Sequence, residues 1–374
     1  MAAKRTIPSL TGIRGISALW VVLYHMQDLG HAEPRLRWLE SLSLFREGFR
    51  GVDLFFVLSG FILMLVHKDD FERLAWAPTA RFFEMRFWRV YPLNAAVLVL
   101  MLAVFAAVPA LYGLDNLSAA GVAQSFLLAQ RWFMPDFGAV NGPAWSLSVE
   151  VLGYAAFPVL AFTLNRMPSR RALLAGAALC LLSLVAASLA LGFAWHNVTG
   201  RVTVVRMFLA FAAGAALAAF FARRHAAAHG SARSFRGGLA TASFVACVLV
   251  CSIPGAAFLA VLPISGLILG LASEEGPVNR LMASGIIVWL GQISFSLYLT
   301  NFTVLGLFVW ASGGSSAGAG PLADAAYAGT ALAAILAVAA ATHVLVEKPL
   351  AQVARGVMSN RRGRLLLSNP EIPR

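Results

Sequence analysis

Apolar residues gather in runs of roughly 17 or more, the length a helix needs to cross hydrocarbon, separated by short polar and charged segments. About ten such runs are legible, at 10–28, 50–67, 90–111, 145–165, 171–194, 202–222, 237–253, 255–272, 283–311 and 323–346. The ninth is long enough to require tilt, a kink near Gly291 or an interfacial end. The pattern predicts an all-α, polytopic integral membrane protein of about ten transmembrane helices. No run alternates apolar and polar residues as a membrane β-barrel strand would. Between the third and fourth runs, residues 112–144 hold a further apolar segment at 121–132 and close on the turn signal Asn141-Gly142-Pro143. Residues 313–320 are rich in Gly and Ser and read as a flexible outer loop. Residues 1–350 form one membrane domain, and 351–374 form a basic, polar tail.

Composition agrees. Of 374 residues 59% are hydrophobic and 12% charged, and the mean hydropathy is +0.76. The formal net charge of +12 would suit a nucleic-acid partner, but the placement of the charges argues against one. With ten spans and a cytoplasmic N-terminus, the large majority of Lys and Arg residues fall on the cytoplasmic side, as the positive-inside rule requires. Both termini are then cytoplasmic. The Lys4-Arg5 start resembles a signal sequence. The run that follows is long, lacks a small-residue cleavage site and holds Arg14 and His25, so it reads as a retained span. Cys180, Cys247 and Cys251 all lie within runs and read as packing residues, and no metal site is expected.

The candidate chemistry begins in the first run. An ionisable side chain inside a span is costly and usually faces protein or water. Arg14 and His25 are eleven residues apart, which leaves them about 20° apart around a helix and roughly 16 Å apart along it. Three other polar groups stand out. Asp53 and Ser59 lie in the second run, Arg86 and Arg89 enter the third, and Trp145-Ser146-Leu147-Ser148-Val149-Glu150 opens the fourth. Arg86 and Arg89 share a helix face and suit phosphate recognition. The predicted topology puts His25, Asp53 and Glu150 in an outer acid–base cluster, and Arg14, Arg86 and Arg89 in an inner cationic one. That layout fits transfer of an acyl group from coenzyme A to an acceptor hydroxyl. The arginines would hold phosphate, His25 would act as base or transient acyl carrier, and a neighbouring carboxylate would fix its tautomer. Taken singly, each residue has a plainer reading, as packing residue, helix cap, topological anchor or structural ion pair.

The chain also resembles the acyltransferase-3 family of bacterial integral-membrane O-acyltransferases, over nearly its whole length. The resemblance rests on Ser9-Leu10-Thr11-Gly12-Ile13-Arg14-Gly15 leading to His25, Gly51-Val52-Asp53 through Ser59-Gly60-Phe61, the Arg86 and Arg89 pair, and Trp145 through Glu150. It continues in Leu290-Gly291-Gln292-Ile293-Ser294-Phe295-Ser296-Leu297-Tyr298-Leu299 and in Val346-Glu347-Lys348-Pro349. It implies an acyl-CoA donor, most often acetyl-CoA, and a glycan or glycolipid acceptor at the bacterial inner membrane, beside lipid and glycan-export or polymerase machinery. It carries catalytic roles to His25, Asp53 and Glu150 and donor binding to Arg14, Arg86 and Arg89; Trp145, Tyr298 and Asn301 are read as acceptor contacts, Asn301 by its capacity to hydrogen-bond a hydroxyl and not by the resemblance. Thr11 stands where relatives often have aspartate, and Asn301 where they often have histidine. A transporter, or the same chemistry on a secreted small molecule or lipid, is the alternative reading.

Overall fold

Long apolar segments with no water to satisfy their backbones must close their hydrogen bonds within themselves, and helices do so. The computed structural model describes residues 7–31, 33–109, 117–132, 139–191, 200–225, 233–273, 275–313 and 320–368. Its helices, in chain order, are α1 Pro8–Asp28, α2 Ser43–Arg46, α3 Gly51–His67, α4 Trp76–Ala107, α5 Ala119–Leu127, α6 Trp145–Arg166 and α7 Arg170–Leu191. They continue with α8 Gly200–His225, α9 Arg233–Ser252, α10 Val261–Leu271, α11 Pro277–Met282, α12 Gly285–Ala311, α13 Pro321–Thr342 and α14 Lys348–Ser368. Among the described residues there is no strand.

Each of the ten predicted runs overlaps a helix. Seven helical segments are long and apolar enough to cross a membrane, and Gly238–Ser252 and Ala257–Leu271 are shorter apolar helices. The protein is therefore a multi-pass, all-helical membrane protein. α1, with its interior Arg14 and His25, is not among the seven. The ninth run forms one unbroken helix, α12, through Gly291. The polar tail begins as helix α14, whereas most of the 313–320 loop lies outside the described residues.

The core is built from helix pairs: α3 on α8, α1 on α12, α7 on α8, α9 on α10 and α12 on α13. Close approach explains the first of them. A Cβ on Gly60 of α3 would strike the Phe211 carbonyl, and one on Gly214 of α8 would strike that of Val57. Small residues at a crossing let backbones meet, the usual device of membrane helices.

The 121–132 segment does enter the body. Ser118 caps α5 by accepting from the Gly121 amide. The helix ends at Leu128, whose φ of 53° is left-handed. The chain then lies against α6, where the Arg131 amide donates to Ser148 Oγ and Trp132 Nε1 to the Ser148 carbonyl. Non-helical backbone at this depth survives only where protein or a cavity covers it.

Candidate active site

The α1–α12 contact sets the site. A Cβ on Gly15 would strike the Gly291 backbone, and one on Gly291 would strike the Thr11 carbonyl. This contact brings Arg14 beside the Gly291 carbonyl, to which it donates from Nε at 3.2 Å and Nη2 at 2.7 Å. The rest of the guanidinium faces a cavity of about 350 Å³ among α1, α3, α4, α6 and α12.

Arg86 and Arg89 of α4 reach the same cavity, one helical turn apart. Arg89 donates from Nη1 to Glu347 Oε1 at 2.8 Å and lies over the Phe295 ring. Arg86 lies over the Phe82 ring, its buried Nε is unpartnered, and it has no ion-pair partner among the described residues. Glu150 also lines this cavity, accepting from Ser59 Oγ at 2.5 Å and Tyr154 Oη at 2.8 Å. Sequence placed Glu150 in an outer cluster apart from the arginines. The structure puts all four in one chamber, because Glu150 lies more than a turn into α6 and meets Ser59 mid-way along α3.

The cavity extends to Ser146 and Tyr298. Their hydroxyls are 2.7 Å apart, and Tyr298 Oη donates to the Pro143 carbonyl. Trp145 stands edge-on to Phe56, beside the chamber.

One turn beyond Tyr298 is Asn301, buried at 1% exposure. Its Nδ2 donates to the carbonyls of Leu297 and Tyr298. Its Oδ1 must therefore accept, and it lies 2.6 Å from His25 Nδ1. That assigns the proton to Nδ1 and leaves Nε2 as the free lone pair. The fixed tautomer expected from a carboxylate is thus supplied by a carboxamide. The rings of Tyr24 and Phe302 flank His25.

Asp53 lies elsewhere. It is buried, accepts from Arg206 Nε at 2.6 Å and from Arg50 Nη1 at 3.4 Å, and bonds neither His25 nor the cavity residues. Arg206 falls within the apolar run at 202–222. In the structure it lies inside α8 at 2% exposure. An arginine within an apolar run needs an anion, and that was the missed signal.

Glu347 was also missed as a site residue, since it follows the last run. It sits in a π-helical turn, His343–Glu347, and accepts from Arg89, from Ser296 Oγ at 2.8 Å and from His343 Nδ1 at 2.9 Å. Elsewhere in the interior Gln130 is 2% exposed with both amide atoms unpartnered, and Asn141 Oδ1 and Asn94 Oδ1 are unpartnered as well. Among the described residues no cluster of His, Cys, Asp or Glu could hold a metal.

In comparisons with known proteins, the acyltransferase domain family matches residues 7–343. Acyltransferase MdmB of Streptomyces mycarofaciens is 28% identical over 377 residues, covering 92% of this chain and 91% of its own. The O-acetyltransferase OatA of Staphylococcus aureus is 27% identical over 211 residues, covering 54% of this chain and 31% of its own. The peptidoglycan O-acetyltransferase OatA of Listeria monocytogenes is 25% identical over 165 residues, 42% of this chain and 24% of its own. No solved structure matches the chain.

Proposed function

Because the chain belongs to the acyltransferase-3 family and is an acyltransferase, we propose that it moves an acyl group, typically acetyl, from acyl-CoA to a hydroxyl of a glycan or glycolipid at the bacterial inner membrane. One observation carries this reading. Three arginines from two helices meet in one cavity, and its lining residue Tyr298 lies one helical turn from Asn301, which fixes the tautomer of His25.

Arg14, Arg86 and Arg89 hold donor phosphates, Arg86 with the least competition from protein groups. Glu347 anchors Arg89 and the Gly291 carbonyl anchors Arg14, so both guanidiniums are pre-oriented. Glu150, held by Ser59 and Tyr154, shares the chamber with Arg86 and sets its polarity. The thioester end points past Tyr298 toward His25. His25 Nε2 takes the proton of the acceptor hydroxyl as its oxygen bonds to the acyl carbon. The carbon–sulfur bond breaks, and His25 returns the proton to the departing thiolate. Asn301 is a positioning residue, since it touches only His25 and backbone. The unpartnered Gln130 carboxamide and the free Asn141 Oδ1, whose Nδ2 is committed to the Leu299 carbonyl, suit a hydroxyl-rich acceptor. No separate cofactor or metal enters the scheme. The orientation proposed earlier, with both termini cytoplasmic, puts the arginines on the donor's side of the membrane.

The test is turnover of radiolabelled acetyl-CoA by purified protein in lipid, with membrane extract as acceptor source, wild type beside His25→Ala. Turnover lost in a folded variant supports the scheme. Equal turnover removes His25 from it, and none by the wild type removes acetyl-CoA as donor.

A further inference from the structure

A second basic hollow opens where α3, α6 and α8 end together, and acyl transfer makes no use of it. Its volume is about 510 Å³. The three helices run in the same direction. Met64 and Ala219 on its floor therefore lie one turn deeper than Lys68 and Arg223 on its rim. Met64 and Ala219 are buried at 1% and 4% exposure. The hollow thus has an apolar floor on the bilayer side and a cationic mouth at the surface.

The rim charges do not cancel. Lys68, Arg166 and Arg223 face a single lining carboxylate, Glu72. Arg223 donates to the carbonyls of Met167 at 2.8 Å, Asn165 at 3.0 Å and Leu164 at 3.3 Å, which closes the end of α6. Arg166 donates to the Glu72 carbonyl at 3.3 Å and stacks 3.7 Å over the Phe162 ring. These partners are neutral groups. A helix C-terminus offers only about half a negative charge, so most of the positive charge remains. Lys68 meets Asp69 at 2.7 Å, but both are exposed, and such surface pairs hold their partners weakly. Asn165 Nδ2 ties the rim together by donating to the carbonyls of Lys68 and Phe71. Exposed Val159 lies two turns back from Arg166 on the same face of α6 and continues the apolar surface toward the bilayer centre.

We propose that this hollow binds an anionic phospholipid, its phosphate on Lys68, Arg166 and Arg223 and its chains along Met64, Ala219 and the outer face of α6. Basic pockets between membrane helices take lipid headgroups in this way. A soluble phosphate would have no use for the apolar floor. The proposal is independent of the acyl-transfer reading.

The test is native mass spectrometry of the full-length protein in maltoside micelles, with phosphatidylglycerol and phosphatidylcholine of identical chains. The wild type should retain one phosphatidylglycerol at a concentration at least tenfold below that needed for phosphatidylcholine. Lys68→Gln/Arg166→Gln should abolish the preference, and Lys68→Glu alone should reduce it about tenfold. The charge-matched control Arg280→Gln/Arg355→Gln should leave it intact. Equal retention of both lipids by the wild type overturns the proposal, as does a preference that survives in folded Lys68→Glu. Displacement of bound lipid by inorganic phosphate or by coenzyme A also overturns it, since the hollow would then serve a soluble anion.

Discussion

Asn301 decides how His25 is prepared. A carboxamide whose amine is committed to two carbonyls has only its oxygen to offer, so it orders the imidazole without adding charge. Asn301→Ala should leave His25 in place but free to take either tautomer. Loss of the correct tautomer in a histidine-based transferase costs roughly 10²-fold or more in turnover. The expected signature is a fall in kcat with KM for acyl-CoA unchanged, read from initial rates at varied donor. Asp53 should behave in the opposite way. Its removal leaves Arg206 buried without an anion, at a cost of about 3–5 kcal/mol. Asp53→Ala should therefore lose folded yield in detergent, and Asp53→Ala/Arg206→Met should regain it. A folded, inactive Asp53→Ala protein would return Asp53 to the chemistry. At this scale sequence gave the residue types but not their partners. Arg14, Arg86, Arg89 and Glu150 were visible as ionisable groups in apolar runs, whereas the pairing of Asp53 with Arg206 spans 153 positions and left no local mark.

At the scale of elements, glycines decide which helices touch. Gly15 and Gly291 hold α1 against α12, and Arg14 reaches its carbonyl only because they do. Gly15→Leu should force the pair apart or off its rotamers, costing about 1–3 kcal/mol. In a thermal melt its midpoint should fall clearly below wild type and acyl-CoA binding should weaken. Gly142→Ala is the control, since a Cβ there meets nothing within 4 Å. The apolar runs predicted α1 and α12 almost end to end, because a bilayer admits few other solutions, whereas α4 begins at Trp76, fourteen residues before its run at 90–111. The burial of the 119–132 segment was not legible, since its fate is set by Ser148 on the next helix rather than by its own hydropathy.

Across the whole molecule, the polar surface outside the spans carries its own ties. Arg35 donates to Glu33 from Nε at 2.8 Å and Nη2 at 3.0 Å. These bonds hold the Glu33 carboxyl below the usual glutamate range. A group that ionises more easily when folded stabilises the fold above its unfolded pKa, about 4.3, and loses that effect as pH falls through the folded value. Melting curves of wild type and Glu33→Gln should therefore diverge at neutral pH, wild type higher, and converge in acid. Parallel curves across that range would show that the pair adds nothing. Connectivity among the helices was beyond the sequence for a general reason: a run reports that it is buried and not against what. The π-helical turn at His343–Glu347 joins α13 to α14. Such a turn holds one residue more than an α-helical turn, so everything after it is wound round by about 100°. Glu347 faces Arg89 because of that extra residue. Deleting Val344 or Leu345 alone, both of them exposed, would restore a regular helix and swing the carboxylate away from the cavity. A change of chain length by one at the molecule's surface is thus expected to act as a point mutation in its interior.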